Sequence, residues 1–287
     1  MAQIRIGTCS WKYDSWRGLV YSDHAKKNYL LEYSRKYNTV EIDQWFWSLF
    51  GVDKVSLPLP QVVEEYTESV PDDFKFTIKV PNSITLTHFY RKSKTAPLLE
   101  NPHFLSVDLF ETFLNSLRPM HTKIGLLMFQ FEYLNKEKMS SQMAFLDQFQ
   151  EFTQRCDQNF CYGLEIRNPS YLNKNYFEFL KQHHLGHVFL QGYYMDDIAV
   201  TYQKHWSLLD TTMAIRLHGP SRSDIEEKSG GRWDRIYEPK DDEISRITKI
   251  IEEIHSKNLD IYVNVNNHYE GSAPLTIEKI RQILFSS

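Results

Sequence analysis

Residues 241–267 read DDEISRITKIIEEIHSKNLDIYVNVNN, and this stretch sets a helix directly before a strand. In its first part Ile244, Ile247, Ile251 and Ile254 recur at helical spacing with charges between them. The helix is expected to start after Asp242 and to stop near Asn258, both residue types that cap helices. In its second part Ile261, Val263 and Val265 alternate with Tyr262, Asn264 and Asn266, the period of a strand with two different faces. Working outward, the same kind of β-rich run occurs at IRIGTC (Ile4–Cys9), TVEID (Thr39–Asp43), FKFTIKV (Phe74–Val80), IGLLMFQF (Ile124–Phe131), YGLEIR (Tyr162–Arg167), HVFLQ (His187–Gln191) and MAIRLH (Met213–His218). Helix-like stretches lie between the runs, such as residues 139–156, and a last helix is expected over Leu275–Leu284. Alternating strands and helices mean parallel strands joined by right-handed crossovers. Eight such units predict an α/β chain folded as a single (β/α)8 TIM barrel over residues 1–287, with a long loop at 219–241 after the seventh strand. An open doubly wound sheet is the alternative, because closure leaves no mark in a sequence.

The composition agrees with a globular chain of this size. Of 287 residues, 41% are hydrophobic and 24% charged, which excludes a disordered chain, a coiled coil and a small disulfide scaffold. Lys plus Arg is 33 and Asp plus Glu is 37, a net charge of −4, so no global field draws the chain to nucleic acid or an anionic membrane. Cys9, Cys156 and Cys161 form no zinc or disulfide spacing. The opening MAQIRIGTCSWKYD has charges where a signal peptide has an apolar core, and no apolar run reaches the ~18 residues of a membrane span. The expected location is the cytoplasm, with its reduced cysteines.

Strand alternation also locates a site. The apolar face of each strand belongs under the helices, so the other face points into the barrel. That inward set holds Glu41, Asp43, Lys79, Glu165, Arg167, Arg216, His218 and Asn266, clustered at carboxyl ends of strands, where such barrels bind ligands. The first and sixth strands do not settle by this rule. Burying ions costs several kcal/mol each unless they are paired, so a fold shaped for stability alone would use branched aliphatics there. Arg suits bidentate binding of carboxylate or phosphate, and Glu41, Glu165 and His218 are the expected acid–base groups. Asn266, Asn267 and Gln130 can orient hydroxyls or carbonyls. The expectation is an enzyme acting on a small anionic molecule without metal or other cofactor. His218, Glu41, Glu165 and His268 include metal-ligand types, but Lys79, Arg167 and Arg216 in the same mouth oppose another cation. His183, His184 and His187 are expected on a solvated helix end at the opposite face. Trp11, Tyr13, Trp16, Trp45, Phe46 and Trp47 are expected to cover the mouth, and Gly219, Gly230 and Gly231 to hinge a loop that carries Arg222 and Arg232. A nucleotide- or nucleic-acid-binding protein, a metal-dependent hydrolase and a non-catalytic binder remain the other readings.

Seven ordered segments also carry a resemblance: IGTCSWKYDSWRG, YNTVEID, FKFTIKVPNSITLTH, KIGLLMFQF, LEIRNPSY, IRLHG and VNVNNHYEGSA. The chain resembles the YecE-like family, a domain of unknown function with a TIM-barrel fold. The resemblance implies a shared site at Thr8, Trp11, Trp16, Arg17, Gly18, Glu41, Lys79, His88, Gln130, Glu165, Arg167, Arg216, His218, Gly219, Asn266, Asn267 and His268, and no known activity. The substrate-binding set expected from both arguments is Thr8, Trp11, Lys79, Gln130, Arg167, Arg216, Asn266 and Asn267. Against the family pattern, Asp43 stands where Asn is usual, FEYLN follows Gln130 in place of a Pro-Pro pair, and Asn168, Tyr171 and Gln191 replace His, Trp and Asp.

Overall fold

Parallel pairing builds the molecule, seen in a computed structural model that describes residues 2–22, 28–91, 93 and 95–285. The strands are β1 (Ile4–Thr8), β2 (Thr39–Ile42), β3 (Leu49–Gly51), β4 (Lys54–Val55), β5 (Lys75–Lys79), β6 (Ile124–Phe131), β7 (Tyr162–Ile166), β8 (Gly186–Gly192), β9 (Met213–Gly219) and β10 (Ile261–Val265). The helices are α1 (Tyr29–Tyr33), α2 (Pro60–Glu68), α3 (Asn82–Thr85), α4 (Val107–Ser116), α5 (Gln142–Thr153), α6 (Lys174–Gln182), α7 (Ile198–His205), α8 (Arg222–Ser229), α9 (Asp241–Ser256) and α10 (Ala273–Phe285). Eight strands pair in the order β1-β10-β9-β8-β7-β6-β5-β2, all parallel, and β3 with β4 forms a separate antiparallel hairpin. All eight expected strands are present, and the hairpin was not expected. The amphipathic stretch is α9, which buries Ile244, Ile247, Ile251 and Ile254 as its spacing requires.

Closure comes where β1 meets β2, the two ends of the pairing order. The Tyr33 hydroxyl stands in for a ladder there: it accepts from the Thr8 N–H at 2.9 Å and donates to the Thr39 carbonyl at 3.0 Å. Gly7 is required beside it, since a Cβ at that position would sit 2.0 Å from the Thr39 oxygen. The result is a nearly closed TIM barrel. No helix among the described residues is long and apolar enough to cross a membrane.

The interior is layered. At the bottom Leu126, Met128, Val188, Ala214 and Tyr262 form an apolar plug. Above it Asn264 donates to Thr77 Oγ1 at 3.0 Å. The next layer up is ionic, and it is the floor of the mouth. The outer face of each strand packs under the helices in the main core.

Candidate functional site

Arg216, 2% exposed on β9, organises the floor. Its Nε and Nη2 donate to the two oxygens of Glu41 at 2.7 Å each, and its Nη1 donates to Glu165 at 2.5 Å and Gln130 at 3.2 Å. Glu165 accepts from Arg167 Nε at 2.9 Å, and Gln130 from Arg167 Nη2 at 3.0 Å. Planar guanidinium forks meet planar carboxylates, which is the geometry that offsets burial. Glu41 and Glu165 are therefore clamped beneath the floor, 0% and 1% exposed. Burial pushes the Glu165 carboxyl up, but Arg216 and then Arg167 outweigh it and hold it at about 2. Glu165 is thus held as an anion, and both glutamates expected to transfer protons are hydrogen-bonded to Arg216.

Above this floor lies a cavity of about 290 Å³, lined by Asp43, Lys79, Arg167, His218, Asn266 and His268 among polar groups. Tyr13, Phe46, Trp47, Tyr90 and Tyr193 form its aromatic wall. Lys79 stands at the end of β5 with its ammonium 3.8 Å from the Phe46 ring centre. Burial, then Arg216, lowers the Lys79 amine to about 8. Burial, then Glu41, raises the Asp43 carboxyl to about 6. Burial, then Arg216, Arg167 and Lys79, holds His218 well below its ordinary range, so the imidazole is neutral. Its Nε2 lies 3.7 Å from Cys9 Sγ and its Nδ1 lies 3.4 Å from the Tyr193 hydroxyl. The Cys9 thiol is pushed well up by burial and Glu41, so it stays protonated. Arg167 stacks on the Tyr193 ring at 4.9 Å, and its Nη1 makes no hydrogen bond among the described residues.

Of the expected binding residues, Lys79, Gln130, Arg167, Arg216 and Asn266 line the cavity. Thr8, Trp11 and Asn267 do not. Thr8 faces the seam, where its hydroxyl donates to the Ser10 carbonyl at 2.6 Å. Trp11 packs edge-on to Tyr66 at 5.1 Å. Asn267 Oδ1 accepts from the Ala273 N–H at 2.9 Å at the start of α10. Their alternation differs: Gly7 on β1 and Cys9 just past it face inward, and β10 has ended before Asn267. Trp16 and Trp45 also pack away from the cavity, whereas Tyr13, Phe46 and Trp47 line it. His88 belongs to a wider neighbouring cleft of about 460 Å³.

The stretch at 219–241 is not a loose loop. It contains α8, started by Ser221 and ended by Gly230 in the left-handed region. The Trp233 N–H donates to Ser15 at 3.1 Å, and the indole meets His268 at 5.0 Å. Arg222 reaches the cavity while pairing with Glu226, and Arg232 is taken up by Asp234 at the surface. His187 is buried on β8 against Tyr176 and Phe177 of α6, where a solvated helix end had been expected. Gln191, which replaces the usual Asp, faces outward: it donates to Glu243 and accepts from the Ile198 N–H. Asn168 braces Leu134 through two hydrogen bonds. Sequence reading missed Tyr90 and Tyr193; the pair Tyr193-Tyr194 just past β8 was the available signal for the second. Among the described residues no three His, Cys, Asp or Glu side chains converge as metal ligands.

Comparisons with known proteins place this arrangement. The chain is 26% identical over 172 residues to the UPF0759 protein YecE of Escherichia coli strain K12, covering 60% of this chain and 51% of that protein. The match is the same for the O157:H7 protein, so the chain spans about half the length of the curated relatives it matches. A DUF72 family protein of Enterococcus faecalis V583 superposes with a TM-score of 0.69 at 19% identity, covering 98% of this chain and 95% of that one. One from Thermotoga maritima MSB8 gives 0.69 at 18% identity, covering 98% of each. At those identities the likeness is one of fold. Residues 5–286 match the family described as "Protein of unknown function DUF72", and the chain belongs to that family.

Proposed function

We propose that the barrel mouth is the active site of an enzyme acting on a small molecule that carries a carboxylate or phosphate. Arg167 and Lys79 supply its cations, and His218 moves the proton. The observation that supports this is a guanidinium nitrogen left without an acceptor at the floor. Lys79, Arg167 and Arg216 bring three cations, while Glu41 and Glu165 bring two anions already bound to arginine. Asp43, raised to about 6 by burial, lines the cavity beside Lys79, and Glu132 is paired with Lys138. The charges of the mouth come close to balance near neutral pH, and what the floor still offers an incoming anion is a partly buried donor that the protein's own acceptors leave open. Arg167 Nη1 is the donor left for that anion, since the Arg216 fork is spent on Glu41. The neutral imidazole of His218 in the same cavity has one bare nitrogen and one N–H, so it can take up a proton on one side as it releases one on the other.

The test is the melting temperature in millimolar phosphate or sulfate against chloride at matched ionic strength, which equalises screening, with an Arg167 variant as the control for general stabilisation by these anions. A ligand at ten times its Kd stabilises by about 1.4 kcal/mol, a shift of a few degrees. Arg167→Met should lose most of that shift. If the variant keeps the parent's shift, the anion reading is wrong. Once a metabolite screen yields a substrate, His218→Asn should lower turnover roughly 10²–10⁴-fold while leaving the fold intact. Binding with no turnover of any ligand would make the protein a binder.

A further inference from the structure

Among the described residues two lysines are almost completely buried, and they are treated differently. Lys123, 7% exposed, donates to the Thr67 carbonyl at 3.0 Å and the Val70 carbonyl at 2.7 Å, with Asp72 at 3.7 Å. Lys79, 8% exposed, has no hydrogen-bond or ion-pair partner among the described residues. Its Nζ lies against the Phe46 ring and lines the cavity beside Asp43 and His218. Leaving an ammonium buried without partners is unfavourable, and folding shaped only by stability would pair it or replace it. Burial and the nearby Arg216 favour the neutral amine, which is the nucleophilic form, and they outweigh the Phe46 ring face and the carboxylates of Glu41, Glu165 and Asp43.

We infer that Lys79 is an amine nucleophile that forms an imine with the anionic molecule bound at the mouth. The substrate class is then a small aldehyde or ketone bearing a carboxylate or phosphate. This rests on the reading of the mouth as an anion-binding active site. The Nζ lone pair forms a bond to the carbonyl carbon while the carbonyl π pair moves to oxygen. The nitrogen loses a proton and the oxygen gains one, giving a carbinolamine. A further proton on that hydroxyl lets it leave as water, and the C=N bond forms. Amine plus carbonyl gives imine plus water, with no oxidant or reductant. The neutral imidazole of His218 is the group in the same cavity that can pass protons from nitrogen to oxygen. Arg167 Nη1 holds the anion meanwhile.

The test traps the imine. The full chain is incubated separately with glyoxylate, pyruvate and dihydroxyacetone phosphate in the presence of cyanoborohydride, and the adducts are mapped by peptide mass spectrometry. Lys79 should gain the mass of a probe less one oxygen atom. At pH 7 it should be labelled markedly faster than the exposed Lys174, because an amine near 8 is roughly 10²-fold richer in its neutral form than a free lysine side chain. Its rate should level off above about pH 8 in the parent protein, a readout that needs no variant. Lys79→Arg cannot form an imine, so it should lose the adduct. An anion shift in the parent with no Lys79 adduct from any probe overturns the inference and leaves the anion site standing. Labelling of Lys79 no faster than Lys174 overturns it as well. A fast Lys79 adduct without any anion shift supports the nucleophile and removes the anion site.

Discussion

The single residue with the most consequence is Arg216, because three acceptor groups inside the barrel are arranged around its guanidinium. Removing one partner of a buried ion pair leaves the other charge uncompensated, at a cost of about 3–5 kcal/mol. Arg216→Met and Glu41→Gln should each lower stability by that order in urea unfolding. The double variant should lose clearly less than the sum, since it removes both charges. Asp43 behaves oppositely. Its folded pKa is raised to about 6 from 3.8, so the folded state holds the proton more tightly than the unfolded chain. Asp43 therefore costs nothing below pH 3.8, and it destabilises increasingly up to pH 6 and fully above that. Asp43→Asn should stabilise the protein at pH 8 by on the order of 1–2 kcal/mol, discounted for solvent contact, and the gain should vanish near pH 4. Melting curves of parent and variant at the two pH values check this. Inward direction was legible in the alternation of Glu41, Lys79, Glu165, Arg167 and Arg216. Which of them would be bound to each other was not, because pairing across 51 or 175 residues is a distance in space.

Among elements, the seam between β1 and β2 is the feature that decides whether the barrel holds. A phenol oxygen does there what backbone ladders do elsewhere, so its removal leaves a buried N–H and a buried carbonyl unpaired. Tyr33→Phe should cost about 1–3 kcal/mol and speed hydrogen exchange at the Thr8 amide, with the other ladders unaffected. Gly7→Ala should cost more, since its methyl meets the Thr39 carbonyl, a backbone atom that cannot rotate away. A Gly7→Ala variant as stable as the parent in urea would show that the two strands are further apart. The strands and α9 were readable because one buried face imposes a period of two or of about 3.6. The facing of the first strand was not, since Gly7 on its inward side and Cys9 just past its end carry no polarity contrast with Ile6 and Thr8. The segment after β9 hid α8 because Ile225 is its one apolar residue, too little to show a period, and Ser221 and Gly230 mark its ends.

Across the whole molecule, the chain's two ends are parts of one sheet. Ile4 pairs with Ile261, and the Gln3 N–H donates to Asp260 at 2.7 Å. α10 then covers β1 and β10 with Ile277 and Ile280, both 0% exposed, and Arg281 reaches back to the Lys36 carbonyl. Ending the chain after Gly271 should therefore destabilise the barrel as a whole. The truncated protein should be cut by protease throughout its length, where a loss confined to the C-terminus would give a stable resistant fragment.

The sequence by itself determined the eight barrel strands, their order, the inward set of charges and the family. Each follows from local periodicity or from motifs read in order along the chain, which need no contact to be seen. Only the tertiary structure decided closure at Tyr33, the clamping of Glu41 and Glu165 by Arg216, and the isolation of Lys79. Those depend on which side chains meet across the barrel and how much water reaches them. Alternation says that a charge points inward, whereas only packing says whether it finds a partner there.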